Sequence, residues 1–378
     1  MVALARKTLI YEWRRFLPAV LSVGFAGLLQ LLQAALVLGI FGSASVYVTG
    51  SGGDLWVGYP GTQSVNEGRA INPDLSTLLL MDPAVRSVER FHWVDGNWHT
   101  AKGHSGEVSV FVCGINPEPN GMMFNHVLSQ KLRARLGEPD AVVVDRADLA
   151  KLNAHVGSLA SINGRQVRIV GTTTGLRALG GVNVIASLTT ARRLDGDASD
   201  AERPTYLIAR LKDPQQAPRV AARLSNHNGF GPYQVWTAKA FARRSVLFWL
   251  FDTGAGAGVL FMAGIVFLVG AVITSQTLVA AVVGSVREYA TLNALGVGVR
   301  ALRWVVLEQA FWVGALGLLS AGVFGSLLLI LARSQNVPVV LNVPISLVCA
   351  TLIMALAAVS GLAAMRSLRR ADPATLLR

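Results

Sequence analysis

Four nearly uncharged runs, at 16–41, 255–283, 311–331 and 343–365, constrain this chain more than any other feature. Each holds about 20 or more residues, enough to cross about 30 Å of hydrocarbon as a helix. Between the first and second lies a polar block, 54–244. At 52% hydrophobic and a mean hydropathy of +0.47, the 378-residue chain is too apolar for an ordinary soluble domain. Its middle is too polar for a protein lying wholly in lipid. The expected fold class is therefore a membrane protein, with four transmembrane helices and a large α+β extracytoplasmic domain between the first and second. The first run is too long for the apolar region of a cleaved signal peptide and reads as an anchor.

Charge sets the expected orientation. Arg6, Lys7, Arg14 and Arg15 precede the first span; Arg287, Arg300 and Arg303 lie between the second and third; Arg366, Arg369, Arg370 and Arg378 follow the fourth. The loop between the third and fourth has only Arg333. Basic residues concentrate on the cytoplasmic side of a bilayer, so both termini and the 287–308 segment are expected there, in the inner membrane. The net charge of +12 arises mainly from this asymmetry. The polar block holds 22 basic and 17 acidic residues, the short cytoplasmic segments 11 and 4, and no nucleic-acid partner is expected. The expected division is a cytoplasmic segment 1–15, a first span 16–42, the extracytoplasmic domain 43–245, a stalk and second span 246–286, a cytoplasmic segment 287–308, spans 309–332 and 343–365 around a short outer loop 333–342, and a tail 366–378.

Within the polar block, strands are expected at 54–57, 85–94, 108–115, 141–145, 182–187, 206–211 and 233–236, with helices at 73–81, 125–136, 147–152, 189–194 and 215–224. Asn163-Gly164 between alternating residues marks a hairpin over 159–170. Thr237 is a plausible N-cap for a helix running through Trp249 towards the second span, which would make a stiff stalk. Cys113 and Cys349, in different compartments, are not expected to pair.

Motifs for chemistry are sparse. His92, His99 and His104 are close in sequence, but their spacing fits no compact metal-ligand pattern. The chain carries no GxSxG, SxxK or HExxH motif, and no GxxxxGK[ST] phosphate loop. The glycines of 254–258, with Gly264, Gly270, Gly314, Gly317, Gly322 and Gly325, suit close helix packing in a membrane. Polar residues within spans are few and uncharged: Gln30, Gln33 and the run 274–277. Gln30 and Gln33 are expected to hydrogen-bond neighbouring helices, and the lack of buried charge argues against an ion-coupled transporter.

One short segment stands apart. In Arg287-Glu-Tyr-Ala-Thr-Leu-Asn-Ala-Leu-Gly296, wedged between two spans, Tyr289, Leu292, Leu295 and Val299 recur at three- and four-residue steps, giving one apolar helical face. Arg287, Glu288 and Asn293 lie off it. Read alone, this is an amphipathic connector at a membrane surface.

This segment, with the tail Met365-Arg-Ser-Leu-Arg-Arg-Ala-Asp-Pro-Ala374, resembles the permease subunits of ABC exporters in the MacB/FtsX superfamily, and most of all the DevC-type permeases of heterocyst glycolipid exporters. Gly53-Asp54-Leu55, Gly114-Ile-Asn116-Pro117 and Phe124-Asn125 resemble the family more weakly. Asn293 stands where the family often has Lys or Arg. The resemblance implies a coupling helix docked on a separate ABC ATPase subunit, with Tyr289, Leu292 and Leu295 as apolar anchors, Arg287 and Glu288 as the rim, and Gly296 ending the helix. The tail, with Arg369, Arg370, Asp372 and Pro373, would lie at the same interface or on anionic lipid. It implies no catalysis and no cofactor in this chain, with ATP and Mg held by the ATPase. It also implies a homodimer, a periplasmic membrane-fusion-type adaptor and a TolC-like outer-membrane duct, and export of a lipid, a glycolipid-like or another amphiphilic substrate. Two other classes stay open: an FtsX-like regulatory scaffold transmitting ATPase motion to an extracytoplasmic partner, and a membrane-anchored extracytoplasmic enzyme.

Overall fold

A computed structural model describes residues 11–100, 107–196, 202–225, 229–284, 298–335 and 337–368. The chain divides into two compact units, Met1–Gly39 with Ala257–Arg378, and Ile40–Gly256.

The first unit holds the apolar helices. Four helical stretches among the described residues are long and apolar enough to cross a membrane: Trp13–Thr49, Gly254–Ala281, Trp304–Ser334 and Val343–Leu362. The helices themselves are α1 (Trp13–Gly42), α8 (Gly254–Gly284), α9 (Val299–Ser334) and α10 (Val343–Leu368). Small residues bring them together. A Cβ at Gly317 would strike Val23, one at Gly314 would strike Met354, and one at Gly361 would press on Ala310. Phe16, Val23, Leu278, Val313 and Ile353 fill the resulting interior, while Phe261, Leu268, Phe324 and Leu347 face outward, as a hydrocarbon solvent allows. The buried Gln30 Oε1 finds no donor among the described residues, so this atom lacks the expected interhelical bond.

The second unit is α+β, and its plan rests on one long strand. The strands are β1 (Leu55–Gly58), β2 (Val85–Thr100), β3 (Val108–Ile115), β4 (Ala141–Asp145), β5 (Leu159–Ile162), β6 (Arg165–Thr173), β7 (Val182–Ser187), β8 (Tyr206–Leu211) and β9 (Gln234–Thr237). Short helices α3 (Leu75–Met81), α4 (Gln130–Leu136), α5 (Leu188–Leu194) and α6 (Ala217–Leu224) lie between them, and α7 (Ala238–Leu247) follows β9.

The first half of β2, through Phe91, pairs antiparallel with β8; β8 pairs with β1, and β1 with β9. With α3 and α6 in the connections, this is a split βαβ–βαβ sheet in the order β2-β8-β1-β9. Leu55, Val57, Leu75, Leu79, Leu207, Val220 and Leu224 share one core cluster. Arg223, on α6, forks onto the Asp82 carboxylate just after α3, with its shortest contact at 2.7 Å.

The second half of β2 belongs to a closed six-stranded barrel, β2-β3-β7-β4-β6-β5 and back to β2. Pairs β3–β7 and β4–β6 are parallel and the others antiparallel. Alternate residues of all six strands meet in one cluster, including Val94, Trp98, Val110, Val112, Val142, Val144, Ile162, Ile169 and Val184. The Asn163-Gly164 hairpin forms as the dipeptide dictates, with φ of 50° and 77°. Asn163 also helps to close the barrel. Its Oδ1 accepts from Asn97 N at 3.1 Å, and its Nδ2 donates to Asp95 O at 3.2 Å and Leu194 O at 3.0 Å. The barrel is thus an insertion at a hairpin tip, entered after Phe91 and left before its partner Tyr206.

Several expected elements shift. Strand β2 runs to Thr100 rather than 94, because the polar run of His, Asp and Asn forms a barrel wall. The helix expected at 125–136 is only Gln130–Leu136: Phe124 adopts φ 54°, and Ser129 caps the helix by accepting from Leu132 N. The stretch expected as a helix at 147–152 is a 3-10 turn at Arg146–Asp148 followed by turns.

Two buried polar groups hold loops to this frame. Arg133, 2% exposed, donates to the carbonyls of Asn116 at 3.1 Å, Glu118 at 3.3 Å and Met123. Replacing it with Leu would leave the buried Met123 carbonyl without this donor, and Arg133→Leu should destabilise the protein by about 2 kcal/mol. Denaturant unfolding followed by near-UV circular dichroism checks this; a change within about 0.5 kcal/mol, the usual scale of surface substitutions, would refute it. His92, 3% exposed, places Nε2 2.8 Å from Asp195 Oδ2. Burial pushes its imidazole below the usual value, against a smaller upward pull from Asp195. The unfolded chain then takes up a proton before the folded one does, so stability falls as pH drops through about 6.5. A series of unfolding midpoints from pH 7.5 to pH 5.5 should show this loss, with a shallower slope in His92→Asn.

Candidate functional site

Helix α1 does not stop where the first unit does. It continues through a 3-10 turn, Ser43–Ser45, into a last helical turn, α2 (Val46–Thr49), which lies in the second unit. There Tyr47 is 3% exposed. Its ring meets Trp93 edge-on at 4.9 Å, and its hydroxyl donates to Asn183 Oδ1 at 3.3 Å. Asn183 also accepts from Cys113 Sγ at 3.0 Å and donates to Leu176 O at 2.9 Å. Burial pushes both the Tyr47 phenol and the Cys113 thiol upward, so neither is an activated nucleophile. Cys113 and Cys349 are free thiols.

The outgoing connection packs on the incoming one. Residues Ser43–Thr49 lie against α7, whose Phe241 is fully buried beside Trp56 and stacks on Trp236 at 4.9 Å and 10°. Thr237 caps α7 by accepting from Ala240 N at 3.2 Å, as its sequence position suggests. The continuous stalk is not observed. Helix α7 ends at Leu247, a wide π turn covers Phe248–Asp252, and Thr253 is extended at φ −101° and ψ 145°. Thr253 Oγ1 then accepts from Gly256 N at 3.2 Å and starts α8 afresh. The Trp249 indole, donating to Ser64 Oγ at 3.1 Å, pins the wide turn to the second unit. The missed signal is Thr-Gly-x-Gly: a capping hydroxyl two residues ahead of the apolar run. Wide turns of this kind concentrate at functional sites in helices.

The expected coupling residues Arg287, Glu288, Tyr289, Leu292, Leu295 and Gly296, and the tail residues Arg369, Arg370, Asp372 and Pro373, lie outside the described residues. Their flank is described. Helix α8 ends at Gly284, and a Cβ there would come within 3 Å of the Arg15 guanidinium. Arg15 also pairs with Glu12 at 2.8 Å. A cation therefore stands at the C-terminal end of the second span, where the helix dipole favours it. In the sequence, Arg15 stands out only as one of the basic residues ahead of the first span.

The histidines do not converge. His92 is buried against Asp195, His99 lies 3.9 Å from Glu107 at the surface, and His104 is outside the described residues. Among the described residues, no three His, Cys, Asp or Glu side chains group as metal ligands.

Residues 21–227 match the MacB-like periplasmic core domain family, and residues 260–373 match the FtsX-like permease C-terminal family. Among solved structures, the chain is similar to the periplasmic region of MacB from Actinobacillus actinomycetemcomitans, at 13% identity and a TM-score of 0.35, over 52% of this chain and 94% of that one. It is also similar to the extracellular domain of the noncanonic ABC-type transporter YknZ from Gram-positive bacteria, at 12% identity and a TM-score of 0.34, over 48% of this chain and 98% of that one. No curated protein matches the sequence. On the two family matches, the first spanning more than half of the chain, this protein belongs to the MacB/FtsX-like permease superfamily and is a permease of an ABC transporter. The family implies an ABC ATPase partner, and such permeases are typically non-catalytic. The domain between the first two spans is the extracytoplasmic α+β domain of a multi-pass membrane protein.

The break at 248–253 is directly testable. Thr253→Ala removes the cap of α8 at a cost of about 1 kcal/mol. Amide exchange at Gly256 should quicken about fivefold, with the interior of α8 unchanged.

Proposed function

We propose that this permease is the membrane subunit of an ATP-driven exporter, in which segment 287–296 docks on a separate ATPase and hands its motion to the extracytoplasmic domain. The observation that carries this reading is the match of both halves of the chain, 21–227 and 260–373, to families of one permease superfamily. The amphipathic sequence of 287–296 falls between α8 and α9, where a surface helix on the ATPase side is needed. Tyr289, Leu292 and Leu295 are its apolar anchors; Arg287, Glu288 and Gly296 frame it; Arg369, Arg370, Asp372 and Pro373 lie alongside. Both termini are cytoplasmic in this reading, and ATP with Mg is bound by the partner.

Two copies of the permease sit on two copies of the ATPase. The extracytoplasmic domain engages a membrane-fusion-type adaptor leading to a TolC-like duct, as in DevC-type systems, and the cargo is an amphiphile such as a lipid or glycolipid. The joint packing of Ser43–Thr49 and α7 supports a mechanical role, because movement at either connection is felt in one shared core. The FtsX-like match over 260–373 equally suits a regulatory scaffold. Stimulation of ATP hydrolysis by an amphiphile in reconstituted vesicles separates export from regulation.

Coupling is tested by co-purification with the ATPase. Leu292→Asp or Leu295→Asp puts a carboxylate on the apolar face, and association should fall at least about tenfold. Unchanged association in both variants would sink the reading.

A further inference from the structure

A cleft of about 470 Å³ lies along α7, immediately before the chain turns into the second span. Lys239, Arg243 and Arg244 line it. Against these three cations the lining offers a single carboxylate, Asp252, nine residues beyond Arg243. Arg244 is held half-buried, its Nε donating to Gln63 Oε1 at 2.8 Å. Lys239 and Arg243 are exposed and, among the described residues, have no acidic partner.

The same helical stripe changes character along its length. Lys239, Arg243 and Leu247 recur every four residues on one side of α7 and line the cleft, and Phe251 follows beyond that lining, in the wide turn. Leu247 is 40% and Phe251 62% exposed, large apolar groups that the domain does not cover. From Arg243 to Leu247 the helical rise is about 6 Å. Phe251 is three residues from Gly254, where the span begins. Cations at one end and uncovered apolar groups at the membrane end match an anionic head joined to an apolar chain. A free anion would have no use for Leu247 and Phe251, and a purely apolar ligand none for Lys239 and Arg243.

We propose that this cleft binds the anionic headgroup of a membrane amphiphile, with its phosphate or carboxylate on Lys239 and Arg243 and the start of its apolar chain on Leu247 and Phe251. Arg244, fixed by Gln63, supplies a third donor to the same head. As substrate recognition this rests on the exporter reading above; as a lipid site it rests on the cleft alone.

The test uses the full-length protein in an uncharged detergent, with phosphatidylglycerol and phosphatidylcholine of the same acyl chains as probes and native mass spectrometry as the readout. Wild type should retain phosphatidylglycerol over phosphatidylcholine by about tenfold, and the preference should drop several-fold in Lys239→Gln/Arg243→Gln. These two side chains are exposed, so the domain core does not depend on them. Leu247→Ser/Phe251→Ser should weaken retention of both lipids and keep the headgroup preference. A preference unchanged in the Gln variant overturns the site. Displacement of the lipid by millimolar inorganic phosphate overturns it too, in favour of a free-anion site. ATPase association is read in the same preparations. Its persistence in both Leu292→Asp and Leu295→Asp defeats the coupling reading and leaves this site standing; unselective lipid binding defeats the site and leaves the coupling reading standing.

Discussion

Strand β2 serves two sheets, and the architecture of the extracytoplasmic domain depends on this double membership. Through Phe91 it is an edge of the split βαβ–βαβ sheet; from His92 it is a wall of the barrel. At Trp98 it pairs with β3 on one side and β5 on the other, so the barrel closes on it and leaves no free edge there. A strand shared in this way cannot slip by one residue without turning the inward set of both cores outward. Trp98, fully buried in the barrel, and Phe91, fully buried in the aromatic cluster, fix its register from both ends.

The second organising fact is where the chain joins this domain. The incoming helical turn at Val46–Thr49 and the outgoing α7 meet in one aromatic core of Tyr47, Trp56, Phe91, Tyr206, Trp236 and Phe241. Such rings bury large areas and constrain one another's geometry, so the two connections are poorly placed to move independently. The helical path is interrupted at Phe248–Thr253, where it widens, breaks and restarts.

Much of this was legible in the residues. Expected strands at 108–115, 141–145, 182–187 and 206–211 match the observed boundaries, because each is a short apolar or alternating run closed by turn or capping residues. Thr237 and Asn163-Gly164 acted as local chemistry predicts. The extension of β2 was hidden because His, Asp and Asn make a poor hydrophobic pattern; only pairing on both sides makes that run a strand. The stalk read as continuous because Phe248–Leu250 are as apolar as the span that follows, and the capping hydroxyl of Thr253 is a weak signal inside so apolar a context. The role of Arg15 was hidden because its neighbour Gly284 lies at the far end of another helix.

The sequence by itself determined the four spans, the large domain between the first two and the short amphipathic segment after the second. Hydrocarbon requires long uninterrupted apolar helices, and such runs can be read one residue at a time. Only the tertiary structure decided that the domain is a barrel inserted at the tip of a split sheet, that its two connections share a core, and that a basic cleft lies along α7. These depend on partners far apart in the chain, such as β3 with β7, Tyr47 with Asn183 and Gln63 with Arg244, and local periodicity carries no record of which distant segment completes a surface.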